Sequence, residues 1–205
     1  MEKLSENTIQ KDWLIASNNA HKIEEIKLFF QWHGMGIRVV GLKEAGIDLE
    51  VDETETTFEG NAWLKVNALR GIWNGNILAD DSGLCVQALN GAPGIHSARY
   101  AGEPTSHANN VSKLLQVMQD KVDRTAHFVT VLVGYYQNQP FEVKGYVHGH
   151  ITREISGWGG FGYDPIFVPN ASSRTFAEMS GEDKNILSHR ANALRELVLK
   201  IKQGV

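Results

Sequence analysis

The sequence has little of several things, and each shortage closes a door. It holds one cysteine, Cys85, in 205 residues. A lone cysteine can form no internal disulfide and lacks the spacing of a thiolate metal site, so a reduced, cytoplasmic setting fits. No stretch approaches the roughly 18 consecutive apolar residues of a membrane span, and Met1 to Asp12 is polar with mixed charge, without the apolar centre of a signal peptide. Basic residues are not in excess: 20 Lys and Arg against 24 Asp and Glu leave a net charge of -4. That balance argues against gripping a nucleic-acid polymer, which needs a basic face. It leaves room for a small phosphorylated ligand held by a few clustered lysines. There is no internal repeat, no low-complexity tract and no G-x-x-x-x-G-K-[ST] phosphate loop.

What remains is an ordinary globular composition, 42% hydrophobic and 21% charged. The length suits one domain or two closely joined lobes. Residues 1–11 read as a loose extension and 12–205 as the folded part. Trp13-Leu14-Ile15-Ala16 predicts a buried strand that ends in a turn at Ser17-Asn18-Asn19. Ile23, Ile26, Phe29 and Phe30 then recur at helical spacing, and Ile37 to Val40 reads as a second strand. The chain therefore opens as an α/β protein.

Asp48 to Thr57 is acidic and turn-rich. Phe58 to Trp73 has helical periodicity, and Ile77-Leu78-Ala79 predicts a strand running into Asp80-Asp81-Ser82-Gly83. Ala88 to Gly102 reads as loop and His107 to Met118 as helix. Phe128 to Tyr136 and Phe141 to Ile151 predict two strands, with Asn138-Gln139-Pro140 as a hairpin break. A last helix covers Glu182 to Lys202, broken near Ser188, with a capping-box start at Ser180.

Several residues could carry chemistry. Asp80 and Asp81 follow an apolar strand, and strand ends face the ligand crevice in open α/β sheets. Two carboxylates there can hold Mg²⁺, an oxygen-loving ion, or take a proton from water. Asp-Asp-Ser-Gly is also good turn chemistry, and both readings stay open. Glu50, Asp52, Glu53 and Glu55 read as a solvated stretch unless they face that pair. Lys22 can meet a phosphate from the first turn of a helix, whose N–H groups also favour anions. Lys65, Lys184, His189 and Arg190 are further candidates; Arg forks onto phosphates and His can donate to an oxo group. Gly157 to Gly162 formally matches G-x-G-x-x-G. A dinucleotide fingerprint must open a helix, whereas Tyr163-Asp164-Pro165 follows here. A loop that covers a planar base, with Phe161 stacking on it, suits these residues better.

Taken together, five blocks resemble the inosine triphosphate pyrophosphatase family of non-canonical purine nucleoside triphosphate pyrophosphatases. They are Ser17-Asn18-Asn19-Ala20-His21-Lys22; Thr57-Phe58-Glu59-Gly60-Asn61-Ala62 with Lys65; Ala79 to Leu84 continuing through Leu89 to Tyr100; Gly159 to Phe167; and Ala177-Glu178 with Lys184 and Ser188-His189-Arg190. The resemblance implies an elongated mixed β-sheet flanked by helices, two lobes with a central cleft, and a homodimer. It implies hydrolysis of ITP, dITP and XTP to the monophosphate and pyrophosphate with Mg²⁺. Glu53, Asp80 and Asp81 would serve the metal, with Asp81 the proton acceptor. Ser17 to Lys22, Lys65 and Ser82 would meet the substrate, and Phe161, Gly162, Tyr163, Asp164, Lys184, His189 and Arg190 would surround base and sugar. The chain departs from the family pattern at Gly60, where a metal-site glutamate is usual, at Ala191, where glycine is frequent, and at His21. A nucleotide sensor that binds without cutting would keep the base residues but could lose the acids; Glu53, Asp80 and Asp81 are all present.

Overall fold

The computed structural model describes residues 12–203; the expected extension at 1–11 lies outside them. Six strands form one mixed sheet in the order β2-β1-β3-β4-β5-β6. β1 (Asp12–Ile15) lies parallel to β2 (Arg38–Gly41) on one side and to β3 (Asn76–Val86) on the other. β4 (Thr125–Tyr136) and β5 (Gln139–Ile151) form a hairpin, and the short β6 (Phe167–Pro169) runs antiparallel to β5. The helices are α1 (Ala20–Trp32), α2 (Phe58–Leu69), α3 (His107–Val117), α4 (Gly181–Leu187) and α5 (His189–Gln203).

Local chemistry explains most of the boundaries. Asn19, Thr57, Ser106 and Ser180 each cap a helix start, their side-chain oxygens accepting N–H groups that the first turn leaves unsatisfied. Ser180 makes half of the expected capping box; the full reciprocal box sits at Thr175 and Glu178. Ser188 is extended, with φ -67° and ψ 155°, and its Oγ accepts the Ala191 N–H, so one residue ends α4 and caps α5.

Two boundaries differ from the periodicity. α2 stops at Leu69, short of Trp73, because Arg70 is extended and Gly71 takes φ 90°, which turns the chain away and leaves Ile72 exposed. The hairpin turns on Gln137 and Asn138, with φ 49° and 65°. That is the left-handed two-residue turn matched to strand twist, and Pro140 lies inside β5 instead of in the break. Ala88 to Gly102 is loop with two 3₁₀ turns, as its glycines suggest.

The chain divides into two compact units. The first takes the described parts of Met1–Asp81 and Ala193–Val205 together with Val131–Lys144; the second takes Ser82–Thr130 and Gly145–Asn192. In the first, Trp13 stacks on Tyr136 at 5.7 Å and touches Phe30 and Phe141. In the second, Phe128, Phe167 and Phe176 pack with Leu84, Val111, Leu114 and Ile151.

Gly134 of β4 shows how tightly the first unit is built. A Cβ there would lie 1.9 Å from the Ile77 carbonyl oxygen and 2.9 Å from Phe141 Cζ. Backbone cannot give way as a side-chain tip can. Gly134→Ala is expected to cost about 3 kcal/mol, read as a fall in denaturation midpoint; an unchanged midpoint would show that the sheet has slack.

Candidate functional site

The first unit gathers acids and lysines. The turn after β1 is closed by Ser17, whose Oγ accepts the Asn19 N–H at 3.1 Å. Asn19 Oδ1 in turn accepts the N–H groups of His21 and Lys22 at 3.0 and 3.2 Å. The expectation that free N–H groups of this first turn would greet an anion is therefore revised at these two positions, because the cap already takes those donors. The Lys22 ammonium remains, and it sits on Asp80 Oδ1 at 2.5 Å. Asn18, Ala20 and His21 are exposed around it.

Asp80 and Asp81 are not in a turn. β3 continues through them to Val86, and they are 1% and 6% exposed. Neighbouring strand residues point to opposite faces, and the two carboxylates meet different lysines. Asp80 takes Lys22 of α1, while Lys65 of α2 lies 3.6 Å from Asp81 Oδ1 and 2.6 Å from Glu53 Oε1. Lys65 also reaches the Asp80 carbonyl at 3.5 Å. Lys22 and Lys65 thus bring three carboxylates, Asp80, Glu53 and Asp81, into one cluster.

Asp81 is the acid most affected by its surroundings. Burial pushes its carboxyl up to about 6, against the pull of Lys65 and Lys22, with Glu53 and Asp80 adding repulsion. Burial works against the charge of Lys65, but Asp81 and Glu53 outweigh it and hold that ammonium above its usual value. Asp81 Oδ2 is buried with no hydrogen-bond partner, a costly state for a carboxylate oxygen. The site could relieve it with a proton or a cation. Among the described residues no three acids, cysteines or histidines are grouped closely enough to hold a metal as they stand; Lys65 lies between Glu53 and Asp81 where a shared cation would go. The all-oxygen donors and the orphaned Oδ2 suit a hard divalent ion such as Mg²⁺.

The second unit gathers a different set. Arg190, 1% exposed, donates to Ser82 Oγ at 3.2 Å, and its guanidinium lies 6.0 Å from the centre of the Phe161 ring. Lys184 Nζ donates to Asp164 Oδ2 at 2.6 Å and lies 4.7 Å over the same ring. Asp164, 3% exposed, also accepts the Phe161 N–H at 2.8 Å. One carboxylate therefore sets both the loop backbone and the lysine. Gly160 permits this: its φ is 70°, and a Cβ would lie 2.1 Å from Asp164 Oδ2. The His189 ring stacks on Phe128 at 4.7 Å and 11°.

Gly162 turns the chain with φ 61°, and Tyr163 points inward. Its buried hydroxyl donates to the Ser97 carbonyl, and burial raises its pKa well above the usual phenol value. It stiffens the loop from below.

Sequence reasoning gave no role to three supports. Ser156, Thr175 and Glu178 hold the root of the glycine loop, through Ser156 Oγ to Glu178 at 2.7 Å and Thr175 Oγ to the Ser156 carbonyl at 2.8 Å. The Gly159 N–H donates to the Ala177 carbonyl at 3.0 Å. Buried Asn61 accepts the Glu55 N–H at 3.0 Å and ties the acidic stretch to α2. A polar residue on the inward stripe of α2 was the available signal.

A model of the Ham1 family matches residues 13–200. A dITP/XTP pyrophosphatase of Clostridium perfringens is 42% identical over 201 residues, 94% of this chain and 98% of that one. One of Leuconostoc mesenteroides is 46% identical over 192 residues, 92% of this chain and 95% of that one. Among solved structures, the Ham1 protein of Staphylococcus aureus superposes with a TM-score of 0.83 at 42% identity, covering 95% of this chain and all of its own. A HAM1 protein of Coxiella burnetii gives 0.83 at 34% identity, covering 94% and 98%.

Proposed function

The chain belongs to the Ham1 family, and on that premise we propose that it hydrolyses non-canonical purine nucleoside triphosphates such as ITP, dITP and XTP to the monophosphate and pyrophosphate. The observation that carries the reading is Asp81: a buried carboxylate with an orphaned oxygen and a pKa near 6, ringed by Lys22 and Lys65.

The lysines supply positive charge where a polyphosphate is negative and becomes more so in the transition state. They are now neutralised by Asp80, Glu53 and Asp81, so an incoming triphosphate competes for them. Asp81 is the group placed to accept a proton. A base with a pKa near the working pH combines a useful ionised fraction with real basicity. Water attacks the α-phosphorus, its proton passes to Asp81, and the bond to the pyrophosphate oxygen breaks. Mg²⁺, held by Glu53 and Asp81 with Asp80 in support, would neutralise phosphate charge as a Lewis acid when bound.

The second set reads the base. Lys184, Arg190 and His189 offer donors, which reward the six-oxo group of hypoxanthine and xanthine. Adenine carries an amino group there and would leave a donor unpaired. Such a mismatch costs about 1–3 kcal/mol, or roughly tenfold to a hundredfold in rate. Ser17 to Lys22 and Ser82 belong to the phosphate end of this reading, and Phe161 to Asp164 to the base end. No helix among the described residues is long and apolar enough to cross a membrane, and the proposal extends to a cytoplasmic homodimer.

Pyrophosphate release from ITP, dITP, XTP, ATP and GTP, with and without EDTA, tests the reading. ITP, dITP and XTP should lead ATP by at least about tenfold, and EDTA should stop release. In oxygen-18 water the label should enter the monophosphate. Label confined to pyrophosphate would refute attack at the α-phosphorus, and equal turnover of ATP would refute the base assignment.

A further inference from the structure

His107 opens α3, and its side chain is exposed. Its imidazole lies 6.2 Å from the Phe161 ring, centre to centre, tilted by 42°. Three helices therefore bring a nitrogen-bearing side chain to one phenyl ring: α3 with His107, α4 with Lys184 at 4.7 Å and α5 with Arg190 at 6.0 Å. Lys184 and Arg190 are buried and engaged, by Asp164 and Ser82. His107 is the one that meets solvent.

The two rings share a support. Buried Asn110, one turn along α3, accepts the Ala101 N–H at 2.7 Å and donates to the carbonyls of Ala98 at 2.8 Å and Ser97 at 3.4 Å. The Tyr163 hydroxyl donates to that same Ser97 carbonyl at 2.9 Å, two residues after Phe161. The Phe161 N–H is itself fixed by Asp164. The start of α3 and the Phe161 loop are thus fastened to one segment, 97–101. Their backbones are set by the fold, and the exposed imidazole keeps its rotamer freedom.

Lys184 lies over the Phe161 ring and also reaches Phe176 at 5.7 Å, so it closes the buried side of the half-buried phenyl. A flat ligand has the solvent side, which His107 borders. Two rings that hold a base between them stand about 7 Å apart, twice the roughly 3.4 Å of base stacking. The present separation is slightly short of that. Rotation of the imidazole about its side-chain bonds can make the rings parallel and widen the gap without moving the backbone.

We propose that His107 is a further binding residue for the purine base, the second aromatic wall of a slot whose first wall is Phe161. Every purine has a flat face, and stacking is tolerant of which base is stacked. His107 therefore contributes affinity and leaves the choice among bases to the polar donors. The assignment rests on the function proposed above.

Calorimetric binding of inosine monophosphate tests it apart from turnover, with melting temperature as the control for folding. His107→Ala should weaken binding about tenfold, as loss of one stacking ring does, and melt with the parent, since the residue is exposed. His107→Phe keeps a flat ring and should bind within about threefold of the parent. His107→Gln keeps hydrogen-bonding groups without the ring and should bind as weakly as His107→Ala. In turnover by His107→Ala, KM should rise about equally for ITP and ATP, with kcat within about twofold of the parent. Parental binding by His107→Ala, rescue by glutamine and not by phenylalanine, a changed ratio of ITP to ATP, or no binding of inosine monophosphate by the parent would each overturn the assignment. Inosine monophosphate bound as described without turnover of ITP would instead sink the proposed function and leave His107 in place.

Discussion

Asp81→Asn is expected to remove pyrophosphate release and, in the same protein, to raise the melting temperature of the apoprotein at pH 7.5. The loss of activity follows from removing the proton acceptor, a contribution of roughly 10²–10⁴ in rate. The gain in stability follows from the pKa. In the unfolded chain the carboxyl titrates near 3.8, and in the fold it is pushed up to about 6, first by burial. Above pH 6 the fold must hold a charge that the unfolded chain holds more easily. The penalty is on the order of 3 kcal/mol. It is complete above pH 6, shrinks as pH falls through the window between the two values, and is absent below 3.8, where both states are protonated. Asparagine keeps the shape without the charge. The variant should melt roughly 5–10 °C higher at pH 7.5 in EDTA and level with the parent at pH 4. A variant that melts lower at pH 7.5 would mean that the lysines stabilise Asp81 more than burial destabilises it.

Asp164→Ala should be the most damaging single change in the second unit. Asp164 is the carboxylate partner of buried Lys184 at 2.6 Å and also takes the Phe161 N–H. Removing one member of a buried ion pair costs about 3–5 kcal/mol, since the other charge stays in a poor solvent. A fall in melting temperature of about 10 °C or more is expected, along with a raised KM for ITP as Phe161 and Lys184 lose their anchor. The companion Asp164→Ala with Lys184→Met separates the two effects. It removes the stranded charge and should recover most of the stability, because an apolar replacement of a buried pair is often neutral. It should not recover the preference for ITP over ATP. If Asp164→Ala loses less than about 1 kcal/mol by denaturant titration, the pair contributes no more than a surface ion pair would.

The residues of both sets were legible in the sequence by type. Lys22, Asp80, Asp81, Lys184, His189 and Arg190 lie in unusual blocks, and the fold class followed from the strand, helix, strand opening. Their partners were not legible. Asp-Asp-Ser-Gly has the composition of a turn, yet β3 runs straight through it, because pairing with neighbouring strands outweighs local turn preference. Phe58 to Trp73 kept helical periodicity beyond Leu69, and only the left-handed Gly71 shows where α2 stops. Gly60 looked like a lost acid; the stem of Glu55 explains why nothing larger fits there.

The sequence by itself determined what acts over a few residues: strand and helix periods, the caps at Asn19, Thr57, Ser106 and Ser180, the break at Ser188, and the motif blocks that mark the family. Only the tertiary structure decided which lysine meets which acid and which acid is left with a raised pKa. Lys22 and Asp80 are 58 positions apart, Arg190 and Ser82 108. No local pattern couples such residues, and the loss of water that lifts Asp81 is a property of everything packed around it.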